Sequence, residues 1–412
     1  MNSRLSTGAQ HPYEERVSKD YDILIVGAGL VGLTMALCTA NVGLNVGLVD
    51  KYPLKSSGDG RATALSSDAL CLMDNLSVDI SDQLEPIRDM LVTEGPPNSP
   101  WRLHFENANN ASAGLGSMIE NQHLKGALIK AVKASASIEI LAPISITQID
   151  HDKTGAALKT EQGEFTSKLL IAADGYNSMV RRKSGITVQK FEYDSVALVT
   201  IIAHQYPHDG LAWQRFFQGG PLAVLPLKNQ RAQIVWSGPA KSLEAAKSMA
   251  EPEFIALLSE KMEAYLGGMA LETPRMTWPL RLQIADQFTS ERLALIGDAA
   301  HIIHPLAGQG LNLGLRDAAA LADGLKLAKD TGQDIGVAGL LNYQSERNLD
   351  TRLMGATTHS LARLYGLKNP LMGHLRRAGL TLTGNSKQLT QLLQAQASGQ
   401  SENTPSLMIP HI

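Results

Sequence analysis

The residues Gly27-Ala28-Gly29-Leu30-Val31-Gly32 stand at a spacing that serves phosphate chemistry. Gly27 permits a tight turn, Gly29 lets the backbone approach a pyrophosphate, and Gly32 lets a helix pack closely on the preceding strand. The amides at Ala28, Leu30 and Val31, where the helix opens, then face an anion. Asp50 ends the next strand, followed by Lys51, and its carboxylate can accept both hydroxyls of an adenosine ribose. Strand, helix and terminal acid agree on a dinucleotide site. This motif by itself leaves NAD, NADP and FAD open.

A second stretch narrows the choice. Asp298 ends the apolar run that starts at Leu293, a place where a carboxylate suits the hydroxyl donors of a polyol. Pro305, then Gly308, Gln309, Gly310, Leu311 and Asn312, make a loop whose bare amides precede a helix. Such a loop stabilises negative charge on the pyrimidine edge of a flavin, through amide donation and the helix dipole. As a second dinucleotide fingerprint it fails, because Gly314 falls one position late and the loop does not follow its strand directly. The two stretches together point to FAD. His301 and His304 lack a third ligand at suitable spacing, so they read as structural side chains and no metal is expected. Asp174 before Gly175 resembles a turn cap, but Ser178 and Arg181 behind it favour a place beside the cofactor. Asp317 reads as an acid on a helix surface and Arg215 as a solvated strand residue.

Elements must bring these distant stretches together. Ile23–Val26 reads as a buried strand, the residues after Gly29 as a helix, and Asn45–Val49 as a second strand. The stretch from Ile23 to Val49 carries no charge and is long enough to span a bilayer, but three glycines disfavour one continuous helix. Further helices are expected at Ala62–Leu76, Ile119–Val132, Gly310–Leu327 and from Gly339 onward. A β-hairpin with a long connection fits Met90–Phe105, and strands fit Ile138–Leu141, Ser145–Ile149, Ala157–Thr160 and Lys168–Ala173. Between 188 and 283, short β-prone runs and one amphipathic helix, Ser242–Tyr265, read as an antiparallel sheet with a helical cover. The expected fold class is α/β: a Rossmann-like FAD-binding domain (20–89, 106–187 and 284–370), an inserted antiparallel β-sheet substrate domain (90–105 and 188–283) and C-terminal helices. A terminal helix is expected at 371–383, and residues 1–19 and 384–412 read as flexible tails.

Composition sets the outer limits. A chain of 412 residues suits two domains of unequal size. Lys and Arg number 37 against 40 acidic residues, and a net charge of −3 argues against nucleic acid as a partner. Cys38 and Cys71 cannot build a disulfide framework; they fit a reducing compartment and read as inert, buried thiols. The first twenty residues are charged and lack the apolar centre of a signal peptide.

The run His304-Pro305-Leu306-Ala307-Gly308-Gln309-Gly310-Leu311-Asn312-Leu313-Gly314-Leu315-Arg316-Asp317 carries a specific resemblance. It is similar, at every characteristic position, to the signature of FAD-dependent aromatic hydroxylases of the para-hydroxybenzoate hydroxylase fold, in their ubiquinone-biosynthesis branch. The run from Asp174 to Arg181 resembles the Asp-Gly motif that lies near both FAD and the reducing nucleotide in such flavoproteins. The run from Gly60 to Ser66 resembles the segment whose Arg, here Arg61, packs near the cofactor. Leu115-Gly116 with Ile119-Glu120-Asn121 resembles the start of the helix whose polar residue, here Asn121, contacts FAD. The resemblance covers about residues 20–370. Ser117-Met118 stand where an aromatic is common. Trp213-Gln214 replace the usual Phe-Glu before Arg215-Phe216, a change that bears on the substrate and not on the cofactor.

The resemblance implies a monooxygenase in which reduced flavin and dioxygen give a C4a-hydroperoxide. That species would hydroxylate a polyprenylated phenol intermediate of ubiquinone biosynthesis. Electrons would come from NADPH or another electron donor, since no second dinucleotide domain is evident. The protein must hold the ring and exclude water, and a phenol with an ordinary pKa of about 10 needs a base. His104, His204, Tyr193 and Arg215 fall in the substrate part, and nothing in the sequence selects among them. A membrane-resident substrate implies a cytoplasmic enzyme in peripheral contact with the inner face of the membrane, or working within a ubiquinone-biosynthesis protein complex. The apolar Leu371–Leu380 segment, with Arg376 and Arg377, would either dock there or pack on the FAD domain. Two other readings stay open: a hydroxylase of a soluble phenolic acid, with Arg215 as its cationic anchor, and a non-catalytic flavoprotein subunit of the quinone-synthesis complex.

Overall fold

The computed structural model describes residues 17–56, 60–94, 99–106, 115–217, 219–303, 310–366 and 403–410, with side chains to 360 in the penultimate segment. The strand Val17–Val26 is the axis of the first sheet, pairing in parallel with Val46–Val49 on one side and Gly163–Ala172 on the other. Ile138–Leu141 and Leu293–Leu295 extend that parallel sheet outward on either flank. Ile23, Leu24, Ile25, Leu169, Leu170 and Ile171 are buried completely, as continuous apolar strands covered on both faces must be. The helix Leu30–Asn41 buries every residue from Gly32 to Thr39, and the helix Gly310–Asp330 packs beside it.

The second sheet is built around Val188–His204, which pairs antiparallel with Arg231–Pro239 and with Met276–Ala285. Gly220–Leu227 and Leu211–Phe217 follow, and the Asp89–Thr93/Arg102–Glu106 hairpin joins in parallel to the last of these. Alternation along the strands divides the residues between two faces. Leu198, Trp213, Leu222, Val224 and Ile234 pack under the helices Ala240–Ser248 and Glu251–Lys261. Ala197, Val199 and Leu280 point the other way, with Tyr193, Val235 and Trp278 against them.

Several elements differ from expectation, each for a physical reason. Ala62–Leu65 is a strand and not the start of a helix, because it pairs with Ser117–Glu120. Tertiary pairing thus overrides local helix propensity, and the two helices start later, at Ser67 and Asn121. The single helix expected over 242–265 is two, separated at Met249–Ala250, with Pro252 in the first turn of the second, where its missing N–H costs nothing. Val17–Lys19, placed in the N-terminal tail by the sequence, extend the first strand. His301–Ile302, placed with the first domain, pairs with Gln283 and Ile284 of the second sheet. Residues 403–410, expected in a flexible tail, form a turn that buries Met408 in the main core. The segments 1–16, 371–383 and 384–402 lie outside the described residues. No helix among the described residues is long and apolar enough to cross a membrane.

One side chain ties the second sheet to a smaller three-stranded sheet formed by Ala62–Leu65, Ser117–Glu120 and Glu85–Pro86. Gln233, 3% exposed, donates from Nε2 to the Ala62 carbonyl at 3.0 Å and accepts from the Ala62 amide through Oε1. Replacing it by leucine strands two backbone groups in an apolar setting, at about 1–3 kcal/mol for an unsatisfied pair. Gln233→Leu is expected to lower the unfolding free energy by that amount, read as a lower urea midpoint with an unchanged slope. An unaltered midpoint contradicts the assignment.

Candidate active site

Gly27 takes φ +107°, and a Cβ there would lie 2.4 Å from the Ala173 carbonyl oxygen. A Cβ on Gly32 would lie 1.8 Å from the Gly27 oxygen, whereas one on Gly29 meets nothing within 4 Å. Two of the three glycines are therefore demanded by close packing, and the third borders open space. Asp50 accepts the Ala28 amide at 2.7 Å and the Tyr52 amide at 2.8 Å, so its carboxylate is fixed at the end of its strand beside the turn. Leu30 and Val31 open the helix. Lys51 is exposed, its ammonium 4.7 Å from the Tyr52 ring centroid.

Asp174 is held next to this turn. One oxygen accepts the amides of Met179 at 2.6 Å and Val180 at 3.1 Å, so it supports the start of the short helix Met179–Lys183 beside the N-cap Ser178, whose hydroxyl accepts the Arg181 amide at 3.0 Å. The other oxygen, Oδ1, is buried without a hydrogen-bond partner among the described residues. Arg181 does not reach outward. It is buried, donating to the carbonyls of Ala299 at 2.7 Å and Tyr176 at 3.0 Å.

The second stretch closes on the first through small residues: the Val31 methyls lie against Gly297 and Gly314 closely enough that a Cβ on either would crowd them. Asp317 then locks the turn. Its buried carboxylate accepts the Gly297 amide at 2.9 Å, His301 Nε2 at 2.6 Å and Arg347 Nε at 2.8 Å. Expected on a helix surface, Asp317 is instead fully buried, because its helix turns that position toward His301 and Arg347. Burial opposes its ionisation, but His301 and Arg347 more than offset this and hold it at about 2. Asp298 lies between the two clamped ends, Gly297 and His301. It is exposed to solvent, yet enclosed by enough protein that its carboxyl is raised above the usual range, while His301 and Arg61 act in the opposite sense. An exposed group in so enclosed a setting is on the floor of a cleft.

Arg61 joins this cleft to the second sheet, its guanidinium 4.4 Å from the Trp278 ring centroid. Its carbonyl accepts the Asn121 amide at 2.9 Å, and Asn121 Oδ1 accepts from Thr63 at 2.7 Å. Asn312 donates to the Ala64 carbonyl at 2.9 Å, tying the Gly310, Leu311 and Asn312 helix start to the Arg61 segment. Pro305, Gly308 and Gln309, with His304, lie outside the described residues. The structure thus gathers Gly27 to Gly32, Asp50, Arg61, Asn121, Asp174, Asp298 and Asn312, and leaves Lys51 at the rim.

Of the four candidates in the substrate part, three face elsewhere. Arg215 donates to the Lys261 carbonyl at 2.7 Å and pairs with Glu263 at 2.9 Å on the helix-covered face; it is neither a solvated strand residue nor aimed at the cleft. His204 is buried on that same face, against the Tyr206 carbonyl at 2.8 Å, and burial lowers its pKa. His104 is on the outer strand of the hairpin, 3.9 Å from Asp89. Tyr193 packs with Trp278 and Leu280 and shares a 2.7 Å hydrogen bond with His359. Sequence reasoning missed His359, Trp278, Gln233 and Arg347; each is defined only by a partner far along the chain. Cys38 is buried and Cys71 partly so, and burial pushes both thiols up. Among the described residues no cluster of His, Cys, Asp and Glu is placed to hold a metal.

The residues fit FAD. Open space borders Gly29 where a pyrophosphate needs it, and Asp174 Oδ1 and Asp298 offer acceptors to hydroxyl donors. Asp317→Asn replaces one acceptor oxygen by a donor inside the clamp, so it is expected to weaken FAD binding in a flavin-fluorescence titration. A carboxyl depressed from about 4 to about 2 adds stability that is complete above pH 4 and lost as pH falls toward 2. Asp317→Asn should therefore flatten the acid limb of the stability profile in that window. An unchanged acid limb counts against the clamp.

Residues 20–357 match the FAD binding domain family. The chain is 33% identical to ubiquinone hydroxylase UbiL of Rhodospirillum rubrum over 399 residues, covering 95% of this chain and 92% of that protein. It is 32% identical to 3-demethoxyubiquinol 3-hydroxylase of Escherichia coli, covering 87% and 93%. Its fold is like that of p-nitrophenol 4-monooxygenase PnpA from Pseudomonas putida, with a TM-score of 0.77 at 19% identity, covering 93% of this chain and 100% of the other. With the glycine turn, the Asp298 cleft and these relatives together, the chain belongs to the ubiquinone-biosynthesis hydroxylases among the FAD-dependent monooxygenases.

Proposed function

We propose that this monooxygenase hydroxylates the ring of a polyprenylated phenol intermediate of ubiquinone biosynthesis. The observation that carries the reading is the apolar sheet face beside the cleft: Ala197, Val199, Val235 and Leu280 with Trp278, whose ring is stacked by Arg61. A prenylated ring needs such a surface. The candidate cationic anchor for a soluble phenolic acid, Arg215, is committed to Lys261 and Glu263 on the opposite face, and the cation at this face, Arg61, lies against the Trp278 ring.

Bound in the cleft and reduced by NADPH or another electron donor, FAD would supply the activation of dioxygen, one oxygen atom going to the ring and the other leaving as water. Gly27, Gly29 and Gly32, with Ala28, Leu30 and Val31, would hold its pyrophosphate, and Asp50 with Lys51 its adenosine end. Arg61, Asn121, Asp174 and Asp298, with Gly310, Leu311 and Asn312, would hold the remainder, and the sequence resemblance adds Pro305, Gly308 and Gln309 to them. The apolar face positions the ring and keeps water away from it. Tyr193 accepts the phenolic proton as its own hydroxyl proton passes to His359 Nδ1, and the imidazole then releases a proton to solvent. The bilayer-resident substrate is met by peripheral contact at the inner face of the membrane, within or beside a ubiquinone-biosynthesis complex.

Complementation of strains each blocked at one ring hydroxylation, with quinone intermediates read by mass spectrometry, tests this reading. Restored quinone in one of them supports it. Failure in all, with turnover of a soluble phenolic acid in vitro, overturns it. Tyr193→Phe is expected to lower kcat by about 10²-fold, the lower end for loss of a general base, with FAD affinity unchanged. An unaltered kcat and pH profile would remove Tyr193 from the proton path.

A further inference from the structure

Residues 403–410 form a docked peptide whose anchoring goes beyond simple burial. Met408, 2% exposed, enters the main core, and Leu407 packs against it. Asn75 Nδ2 donates to two of its carbonyls, Leu407 at 2.9 Å and Ile409 at 3.0 Å. Asp323 accepts the Ser406 amide at 2.8 Å and, through its other oxygen, the Ser406 hydroxyl. One side chain reads the peptide backbone and the other caps its turn. These two residues come from different helices: Asn75 is the last residue of Ser67–Asn75, and Asp323 lies in the C-terminal half of Gly310–Asp330.

The same two helices meet at their other ends beside the cleft. Arg316 pairs with Asp68 at 2.6 Å, and Asn312 Oδ1 accepts the Ser66 amide at 3.3 Å. The peptide therefore spans the far end of a helix pair whose near end carries Asn312 and abuts the Arg61 segment. From this geometry we infer that residues 403–410 are an intramolecular ligand of the seam between these helices, and that their docking is thermodynamically coupled to FAD binding at the opposite end. The inference rests on the FAD reading of the cleft. Docking of the peptide favours the helix spacing that the cleft requires, and FAD favours the spacing that the peptide requires. The coupling must be reciprocal, each ligand altering the other's binding by one common factor.

The experiment uses the full chain. Hydrogen exchange of the 403–410 amides is followed with and without saturating FAD, and the FAD dissociation constant is measured for the wild type and for Met408→Glu. Undocking by Met408→Glu is expected to weaken FAD by about fivefold or more, the lower end of measured coupling, and FAD should slow exchange of 403–410 by a matching factor. Asp323→Ala, a milder release of the same turn, should move both readings in the same direction, and it serves if Met408→Glu fails to fold. Release of the peptide with FAD affinity within twofold of wild type, or exchange indifferent to FAD, overturns the coupling. A chain that never binds FAD, with the peptide still protected, would instead overturn the reading of the cleft.

Discussion

A carboxylate removed from water is tolerated only when its partners replace the lost hydration, and Asp317 depends on that condition. Three donors from three places converge on it: the Gly297 amide, the His301 ring and the Arg347 guanidinium. Holding residues 297 and 301 at once fixes the turn between them, and that turn carries Asp298. The remaining partner, Arg347, brings in the long helix Ala338–Gly366, and His301–Ile302 continues into the second sheet. Cleft, sheet and C-terminal helix therefore meet at one buried charge.

Steric closeness does the rest. Val31 fits between Gly297 and Gly314 because neither has a Cβ, so the helix that opens the first stretch can lie against the second. Arg61 then connects the cleft to the apolar sheet face by stacking on Trp278. Function of the proposed kind needs this adjacency, since oxygen transfer requires an enclosed ring close to the cofactor. The sheet achieves it by division of labour: one face is sealed by helices and holds Arg215 and His204, and the other is kept apolar for the cleft.

Much of this was legible in the sequence where the signal is local. The glycine spacing at 27–32 and the short β-prone runs after 188 depend on neighbours a few residues away, and they form a strand–turn–helix and strands; Asp298, read as ending a strand, lies three residues beyond Leu295 in a short 3-10 turn. What the sequence hid depends on distant partners. Ala62–Leu65 is helical by composition but becomes a strand only because Ser117–Glu120 lies beside it. Asp317 looks like any polar helix position until His301 and Arg347 are placed around it. Residues 403–410 have the composition of a tail, yet one methionine and two distant polar side chains are enough to dock them.

The most direct test is an equilibrium titration of the purified apo-chain with FAD, followed by flavin absorbance and fluorescence. The account predicts a yellow protein that saturates at one FAD per chain. A chain that stays colourless in excess FAD would contradict it.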